Sequence, residues 1–483
     1  MTEISQSATA PSAWHNWVRE WAVGWPIVLA SFVGIGLCLS PLPYYATITI
    51  SPELGKVFGW DRVTTTSAFI FMTAGVLVGA PLAGSLTDKY GARRVLIPAI
   101  IMLGLGTAAL GLTNENPLVF YTIFYLAAVF GSGTLPLTWS KAIVNNFDKS
   151  RGLALGLALT GTGVFGFLAP PFIRSVIDVM DWRMAYFVVG SLPLLLSLPL
   201  AFWLFRDKKE EAAIAARETS NKNSKNWIVP IIMIIGVWAL IAGSLEAVGV
   251  VWAAVLMTVF LLGFIAFETI REKPGDASPL PGLTLKQTVR DYRFWVILVS
   301  FLLLGACVSG IIINVINILL DKGYSPQLAS SGFAGLGLIG FSVVVGRLLG
   351  GLVVDYVWAP LVAFIFMGVP AIGCWILMQD MSQGYNSLAI ILVGVAAGVE
   401  FDLMAFLVSR YLGMKAYGRI YSFVYAAFGI GSGTAGAIFN AIKGDAPNYN
   451  SVLTYSMIGF ILGATILLTL GRYRNFEEEV PLP

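Results

Sequence analysis

Arg347, Glu400 and Asp402 each stand deep inside a long apolar stretch. Arg347 precedes Asp355 by eight residues; Glu400 and Asp402 precede Arg410 by ten and eight. If Asp355 and Arg410 mark the ends of helices, a rise of ~1.5 Å per residue buries the three by ~12, ~15 and ~12 Å. A charge at the centre of hydrocarbon costs ~2.5–3.5 kcal/mol on insertion scales, so such residues mark a place where charge is used. A guanidinium can hold an anion through a planar fork of donors. A buried carboxylate that loses its cation takes up a proton more readily. The three together allow anion binding linked to protonation. An arginine and a carboxylate at matched depth can also form an ion pair that does nothing but lock two helices. Glu400 and Asp402, two apart, project ~200° from one another on a helix. One of them therefore faces the cavity and the other meets Arg410 or a neighbouring helix. Glu400, nearer the midplane, is the expected proton carrier.

Other polar residues are ambiguous. Lys141, six residues before Phe147, is expected to snorkel to the membrane surface. Asn314 and Asn317 lie one turn apart and can hydrogen-bond a carboxylate or join two helices. Tyr44 and Tyr45 neighbour Pro41 and Pro43, and a proline in a span frees backbone groups that need polar partners. Tyr44, Trp139, Tyr421 and Tyr425 can wall an aromatic pocket or simply pack. The single histidine, His15, lies in the N-terminal tail, and Cys38, Cys307 and Cys374 fall within apolar runs. That pattern gives neither a disulfide framework nor metal-ligand spacing. No nucleophile elbow and no phosphate-cradling loop occurs. An enzyme, a metal, a cofactor and a nucleic-acid partner are all unexpected.

The elements that must position these groups are membrane spans. Of the 483 residues 57% are hydrophobic and 12% charged, with mean hydropathy +0.79, against ~25% charged in soluble domains. Apolar runs of the ~20 residues needed to cross a bilayer recur throughout. Six lie at about 25–50, 64–86, 95–113, 118–146, 152–176 and 184–205, and two at about 227–244 and 247–268. Six more follow at about 294–320, 327–350, 359–378, 386–409, 418–441 and 451–471. The division is then 1–205, a six-helix bundle with its tail; 206–293, a linker containing an extra hairpin at about 227–268; and 294–483, a second six-helix bundle. Lys and Arg concentrate in alternate loops, which places both termini on the cytoplasmic side. An even number of inserted spans preserves that pattern. Glu246 falls at the outer turn of the hairpin, and Glu477-Glu478-Glu479 reads as a solvated end.

The two large parts echo one another. Gly84-Ser85-Leu86-Thr87-Asp88-Lys89-Tyr90-Gly91-Ala92-Arg93-Arg94 joins two spans, and a weaker copy runs from Gly346 to Tyr356. Gly84 and Asp88 correspond to Gly351 and Asp355, offset by 267. Gly133 corresponds to Gly398, and Arg151-Gly152 is echoed by Gly418-Arg419. Arg347 then falls opposite Ala80, and Glu400 and Asp402 opposite Leu135 and Leu137. The buried charges occur only in the second half.

The Gly84–Arg94 segment resembles the G-x-L-x-D-[RK]-x-G-[RK]-[RK] loop of the major facilitator superfamily, with Ala92 replacing one basic residue. Glu20-Trp21-Ala22-Val23-Gly24-Trp25 is similar to the D-G-G-W-G-W segment leading into the first span of monocarboxylate transporters. Asn146 to Gly161 is similar to their Y-F-x-x-R-R-x-L-A-x-G-L-A-x-A-G segment. Leu319-Leu320-Asp321-Lys322-Gly323 and Gly346-Arg347-Leu348 resemble the bacterial monocarboxylate-porter and oxalate/formate-antiporter branch. The resemblance implies an all-α membrane protein of about fourteen transmembrane helices: two six-helix bundles with an inserted two-helix hairpin. It implies a monomeric secondary transporter of a bacterial inner membrane, moving a small organic acid with protons. Arg347, Asn314, Asn317 and Tyr44 are then expected at the substrate, and Glu400 and Asp402 at proton coupling. Gly84, Asp88, Lys89, Gly91, Arg93, Gly351 and Asp355 are expected in the gating loops. Animal members carry a lysine deep in the first span; here that region reads Ser40-Pro41-Leu42-Pro43-Tyr44-Tyr45. Some bacterial members carry a histidine near the place of Asn314. The alternative is a proton-coupled exporter of drugs or metabolites.

Overall fold

The computed structural model describes residues 13–60, 62–206, 233–239, 250–272, 280–325, 328, 336–379, 381–444, 446 and 448–476. Glu246, Glu477-Glu478-Glu479, most of the basic 206–225 segment and much of the first hairpin arm lie outside the described residues. Ten helices among the described residues are long and apolar enough to cross a membrane. A helix satisfies its own backbone hydrogen bonds where lipid offers none, which is why apolar runs of this length are helical.

The first part of the chain comprises α1 (Ala13–Gly36), α2 (Leu42–Phe58), α3 (Arg62–Tyr90), α4 (Ala92–Ala109), α5 (Pro117–Gly131), α6 (Pro136–Asn146), α7 (Arg151–Leu159), α8 (Gly161–Val179), α9 (Trp182–Leu192) and α10 (Leu198–Trp203). The insert supplies a helical piece at 233–239 and α11 (Val250–Arg271). A short α12 (Leu285–Arg290) precedes α13 (Tyr292–Asp321), α14 (Leu336–Tyr356), α15 (Ala359–Gly368), α16 (Pro370–Met378), α17 (Gln383–Tyr411), α18 (Tyr417–Lys443) and α19 (Asn450–Leu468). Local chemistry sets several starts. Asn116 accepts from Leu118 N ahead of Pro117, Asp181 accepts from Met184 N, and Thr284 forms a reciprocal capping box with Gln287. Gly91, at φ 88°, turns the chain sharply between α3 and α4, a conformation that favours glycine.

Among the runs that the sequence presents as single spans and the structure divides, two are broken at facing positions. α1 and α2 are separated at residues 37–41, where Pro41 and Pro43 remove donors. α5 and α6 are separated by a 3-10 turn at Ser132–Thr134, between Gly131 and Pro136. The breaks face one another: the freed Leu39 N donates to Thr134 Oγ1 at 3.1 Å. Trp139 Nε1 donates to Thr134 O at 2.9 Å. The α5/α6 break thus supplies both the acceptor that the α1/α2 break needs and one for its own Trp139, partners that lipid cannot offer.

α1 to α10 pack chiefly on one another, and α13 to α19 do the same. The two groups meet where α3 lies on α18 and α7 lies on α14. Both crossings run on glycine. A Cβ on Gly84 would stand 2.2 Å from Gly418 O, and one on Gly152 would stand 2.3 Å from Gly351 O. Such small-residue contacts let helix backbones touch. The insert touches both groups. Tyr125 of α5 donates to Ile234 O at 2.7 Å, while Phe264 of α11 packs edge-on against Phe423 of α18.

Candidate functional site

α14 carries Arg347 and α17 carries Glu400 and Asp402. Glycines bring these two helices together. A Cβ on Gly346 would meet Val395 O at 2.4 Å, and one on Gly398 would meet Val343 O at 2.3 Å. The contact sets the three charges side by side in the interior, with Arg347 2%, Glu400 6% and Asp402 1% exposed. Arg347 Nη1 stands 4.0 Å from Asp402 Oδ1, a charge contact too long for a hydrogen bond. Among the described residues, Arg347 Nε and Nη1, both oxygens of Asp402, and Glu400 Oε2 have no hydrogen-bond partner. A buried guanidinium and two buried carboxylates therefore stand close together with donors and acceptors unused. This is costly unless something else fills the gap.

An aromatic wall borders the charges. The guanidinium lies 5.8 Å from the Phe401 ring. Phe401 stacks on Tyr425 at 5.5 Å and meets Phe428 edge-on at 5.0 Å. Tyr421 continues the row at 6.4 Å from Tyr425. The Tyr425 hydroxyl meets the Ser40 side chain, so the wall spans from α18 to the break between α1 and α2. Tyr45, on α2, lies within electrostatic reach of Arg347.

The other expected residues disperse. Asn314 is buried and donates to Gly310 O of its own helix at 2.9 Å. Asn317 is exposed and pairs with the Tyr449 hydroxyl, so the two asparagines do not share surroundings. Tyr44 is half-buried against Phe69, with ring centroids 4.7 Å apart. Trp139 is buried and packs edge-on against Phe205, with no ring contact to the row of tyrosines among the described residues.

The Gly84–Arg94 segment builds a second constellation. Asp88 accepts from Gly418 N at 2.9 Å and from Arg419 N at 3.0 Å, capping the start of α18. Its carboxylate also takes Lys141 Nζ at 3.1 Å and lies 3.7 Å from Arg419 Nε. Lys141 corrects the snorkelling expectation. It is wholly buried and also donates to Thr87 O, because a carboxylate within reach outweighs the pull of the surface. The second copy repeats the cap in the opposite sense. Asp355 accepts from Gly152 N at 2.6 Å and from Leu153 N at 3.0 Å at the start of α7. Each copy of the motif thus caps a helix of the other group. Lys89 rests over the Tyr90 ring, while the Arg93 guanidinium meets the Phe202 carbonyl and ring. Glu20 gathers the backbone nitrogens of Asp148, Lys149 and Ser150. Gly24 leaves room for Phe147, whose ring would lie 2.3 Å from a Cβ there. The Glu20–Trp25 and Asn146–Gly161 segments are therefore one structural unit.

Sequence reasoning missed Phe401 beside Arg347, Ser40 on the Tyr425 hydroxyl, Arg419 beside Asp88 and Glu272 beside Arg419. Arg419 carried a signal, since Gly418-Arg419 echoes Arg151-Gly152. Glu272 carried none, because it lies on the linker.

Apolar helices throughout, joined by a duplicated charged loop, define an integral, multi-pass membrane protein. The sequence profile of the Major Facilitator Superfamily matches residues 33–230 and, separately, 224–436. The chain belongs to the Major Facilitator Superfamily, a family of transporters. Monocarboxylate transporter 1 of Mus musculus is 27% identical over 172 residues, 35% of this chain and 34% of that protein. Monocarboxylate transporter 1 of Bos taurus is 27% identical over 200 residues, 41% of this chain and 38% of that protein. The matches thus span little more than a third of these curated relatives. The transporter FucP in its outward conformation superposes with a TM-score of 0.64 at 14% identity, covering 94% of this chain and 100% of that chain. The human organic anion transporter MFSD10 gives 0.64 at 13% identity, covering 92% and 99%.

Proposed function

We propose that this protein carries a small organic anion across the membrane together with a proton. The observation that carries the reading is Arg347, a buried guanidinium whose nearest carboxylate stands 4.0 Å off and whose Nε and Nη1 have no hydrogen-bond partner. An entering carboxylate offers a charged acceptor that these unused donors lack. It displaces Asp402 electrostatically, and the displaced acid, or Glu400 beside it, takes the proton that neutralises the site. Anion and proton then favour each other's binding, as linkage requires. Glu400 is the deeper of the two acids, while the contact with Arg347 favours Asp402 as the exchanging partner. The cargo class also draws on the relatives named monocarboxylate transporters.

In this reading residues 1–205 and 294–483 are two six-helix bundles that rock about the central site. The 206–293 segment is a linker with a membrane hairpin, giving about fourteen spans. Both termini are cytoplasmic, the membrane is a bacterial inner membrane, and the working unit is a monomer. Asp88 and Asp355 fasten the cytoplasmic ends of the bundles together.

Uptake by proteoliposomes of a panel of labelled aliphatic, aromatic and dicarboxylic acids tests the proposal. An inward proton gradient should drive accumulation of at least one acid, and a protonophore should abolish it. Failure of every acid, with gradient-driven expulsion of a cationic or neutral amphipath, would replace this reading with the exporter.

A further inference from the structure

We propose that Glu272, at the foot of the inserted helix α11, is a positioning residue of the Asp88 latch and makes the insert a strap governing its closure. The proposal rests on the rocking reading given above.

Four charged side chains meet at this point: Lys141, Asp88, Arg419 and Glu272. Lys141 and Asp88 come from the first group of helices, Arg419 from the second. Arg419 Nη2 stands 3.3 Å from Glu272 Oε1, nearer than its Nε stands to Asp88, at 3.7 Å. The Lys141 and Asp88 side chains are 0% exposed, Arg419 2% and Glu272 7%. Asp88 already serves Lys141 and two backbone nitrogens. One carboxylate cannot neutralise two buried cations, and without Glu272 the closed latch would bury a net positive charge. With it, closure brings together two neutral pairs, Lys141–Asp88 and Arg419–Glu272. Burying an uncompensated charge is the larger penalty.

Glu272 is itself held in place. Its two oxygens accept from Leu285 N and Lys286 N, both at 2.8 Å, at the start of α12. The adjoining linker is pinned to the turn before α18, with Leu283 N donating to Leu412 O and Met414 N to Pro281 O. The insert also reaches the first group through Tyr125 and Ile234. A separation of the two groups must therefore act on the insert as well as on Asp88.

The test uses the full chain in proteoliposomes with spin labels at Lys149→Cys and Arg472→Cys, both exposed at the loop end, one on each group. Pulsed dipolar spectroscopy reads the ratio of short to long separations. Asp88→Asn should lower that ratio, which checks the rocking reading on its own. Glu272→Gln keeps an acceptor oxygen for α12 but removes the charge, and should lower the ratio at least severalfold, because it leaves a buried cation without its partner. With Arg419→Gln as the background the charge sum reverses. There Glu272→Gln restores neutrality and should raise the ratio. A fall in both backgrounds would mean that Glu272 only caps α12, and would overturn the proposal. No change in either would overturn it too. If Asp88→Asn also leaves the ratio unmoved, the rocking reading falls with it. Should Glu272→Gln alone fail to fold, thermal unfolding decides: Arg419→Gln/Glu272→Gln must be at least as stable as Arg419→Gln, and a less stable double variant would overturn the proposal.

Discussion

Asp355 Oδ1 accepts a hydrogen bond from the backbone nitrogen of Gly152 at 2.6 Å, joining α14 to α7. Asp88 makes the same contact with Gly418, joining α3 to α18. The contacts are related by the internal repeat, and their surroundings differ. Asp88 has Lys141 and Arg419 within 4.0 Å, whereas among the described residues no Lys or Arg nitrogen lies that near Asp355. One cap is a neutralised charge cluster; the other is a carboxylate held by two peptide donors.

Asp88→Asn should therefore do more harm than Asp355→Asn. Both replacements weaken two charge-assisted caps of ~1.5–3 kcal/mol each, and Asp88→Asn also breaks a buried ion pair, at ~3–5 kcal/mol. Asp88→Asn should slow turnover while leaving equilibrium substrate binding largely intact. Transport rate and binding are measured on the same preparation. Lost binding with normal turnover of the bound protein would rule out a gating role.

The glycine crossings give a steric prediction. A Cβ at Gly84 would meet the backbone carbonyl of Gly418 at 2.2 Å, and a backbone atom has little room to yield. Gly84→Ala should prevent close approach of α3 and α18, shifting the Lys149–Arg472 separations toward the longer population. Gly236→Ala, where nothing stands within 4 Å of a Cβ, is the matched control.

Arg347→Ala should abolish acid binding and destabilise the protein by leaving Asp402 and Glu400 without their cation, at ~3–5 kcal/mol if one of them stays charged. Arg347→Lys keeps charge but loses the planar fork, so binding should weaken without being restored by higher pH. Adding Asp402→Asn to Arg347→Ala should recover expression more fully than adding Glu400→Gln, because Asp402 is the carboxylate at 4.0 Å. Neither double variant should transport. Expression yield, thermal stability and ligand binding distinguish the cases; normal acid affinity in folded Arg347→Ala would remove the anion site.

Proton coupling should separate from exchange. With Asp402→Asn or Glu400→Gln, gradient-driven accumulation should fall while exchange of internal for external substrate persists, since exchange never requires the empty carrier to reset. Counterflow and gradient-driven uptake are compared in one set of vesicles. Full accumulation in both variants would place coupling elsewhere.

The Leu39–Thr134 contact has a consequence for stability. Thr134→Val leaves a buried peptide donor unmet, at ~1–3 kcal/mol, and should lower the unfolding temperature. Thr134→Ser keeps the acceptor and should restore most of it.

The amino-acid sequence alone determined the membrane class, the duplication and the placing of Arg347, Glu400 and Asp402 within apolar runs. Length, hydropathy and repeat offset are properties of a chain read along one dimension, and insertion in lipid leaves helix as the form for each apolar run. The charged loop was legible too, because Gly84, Asp88, Gly91 and Arg93 keep fixed spacings. What lies across from them was not. That Asp88 caps α18 rather than a helix of its own group, that Lys141 turns inward, and that Asn314 and Asn317 part company all depend on which helices touch. So do the breaks at 37–41 and 132–135, which are tolerable only because Leu39 N finds Thr134. Glu272 is the extreme case: on a polar linker it resembles any solvated carboxylate, and only the fold brings it to a buried arginine. Charge pairing is decided by distances of a few ångströms between segments far apart in sequence, and those distances exist only once the helices are packed.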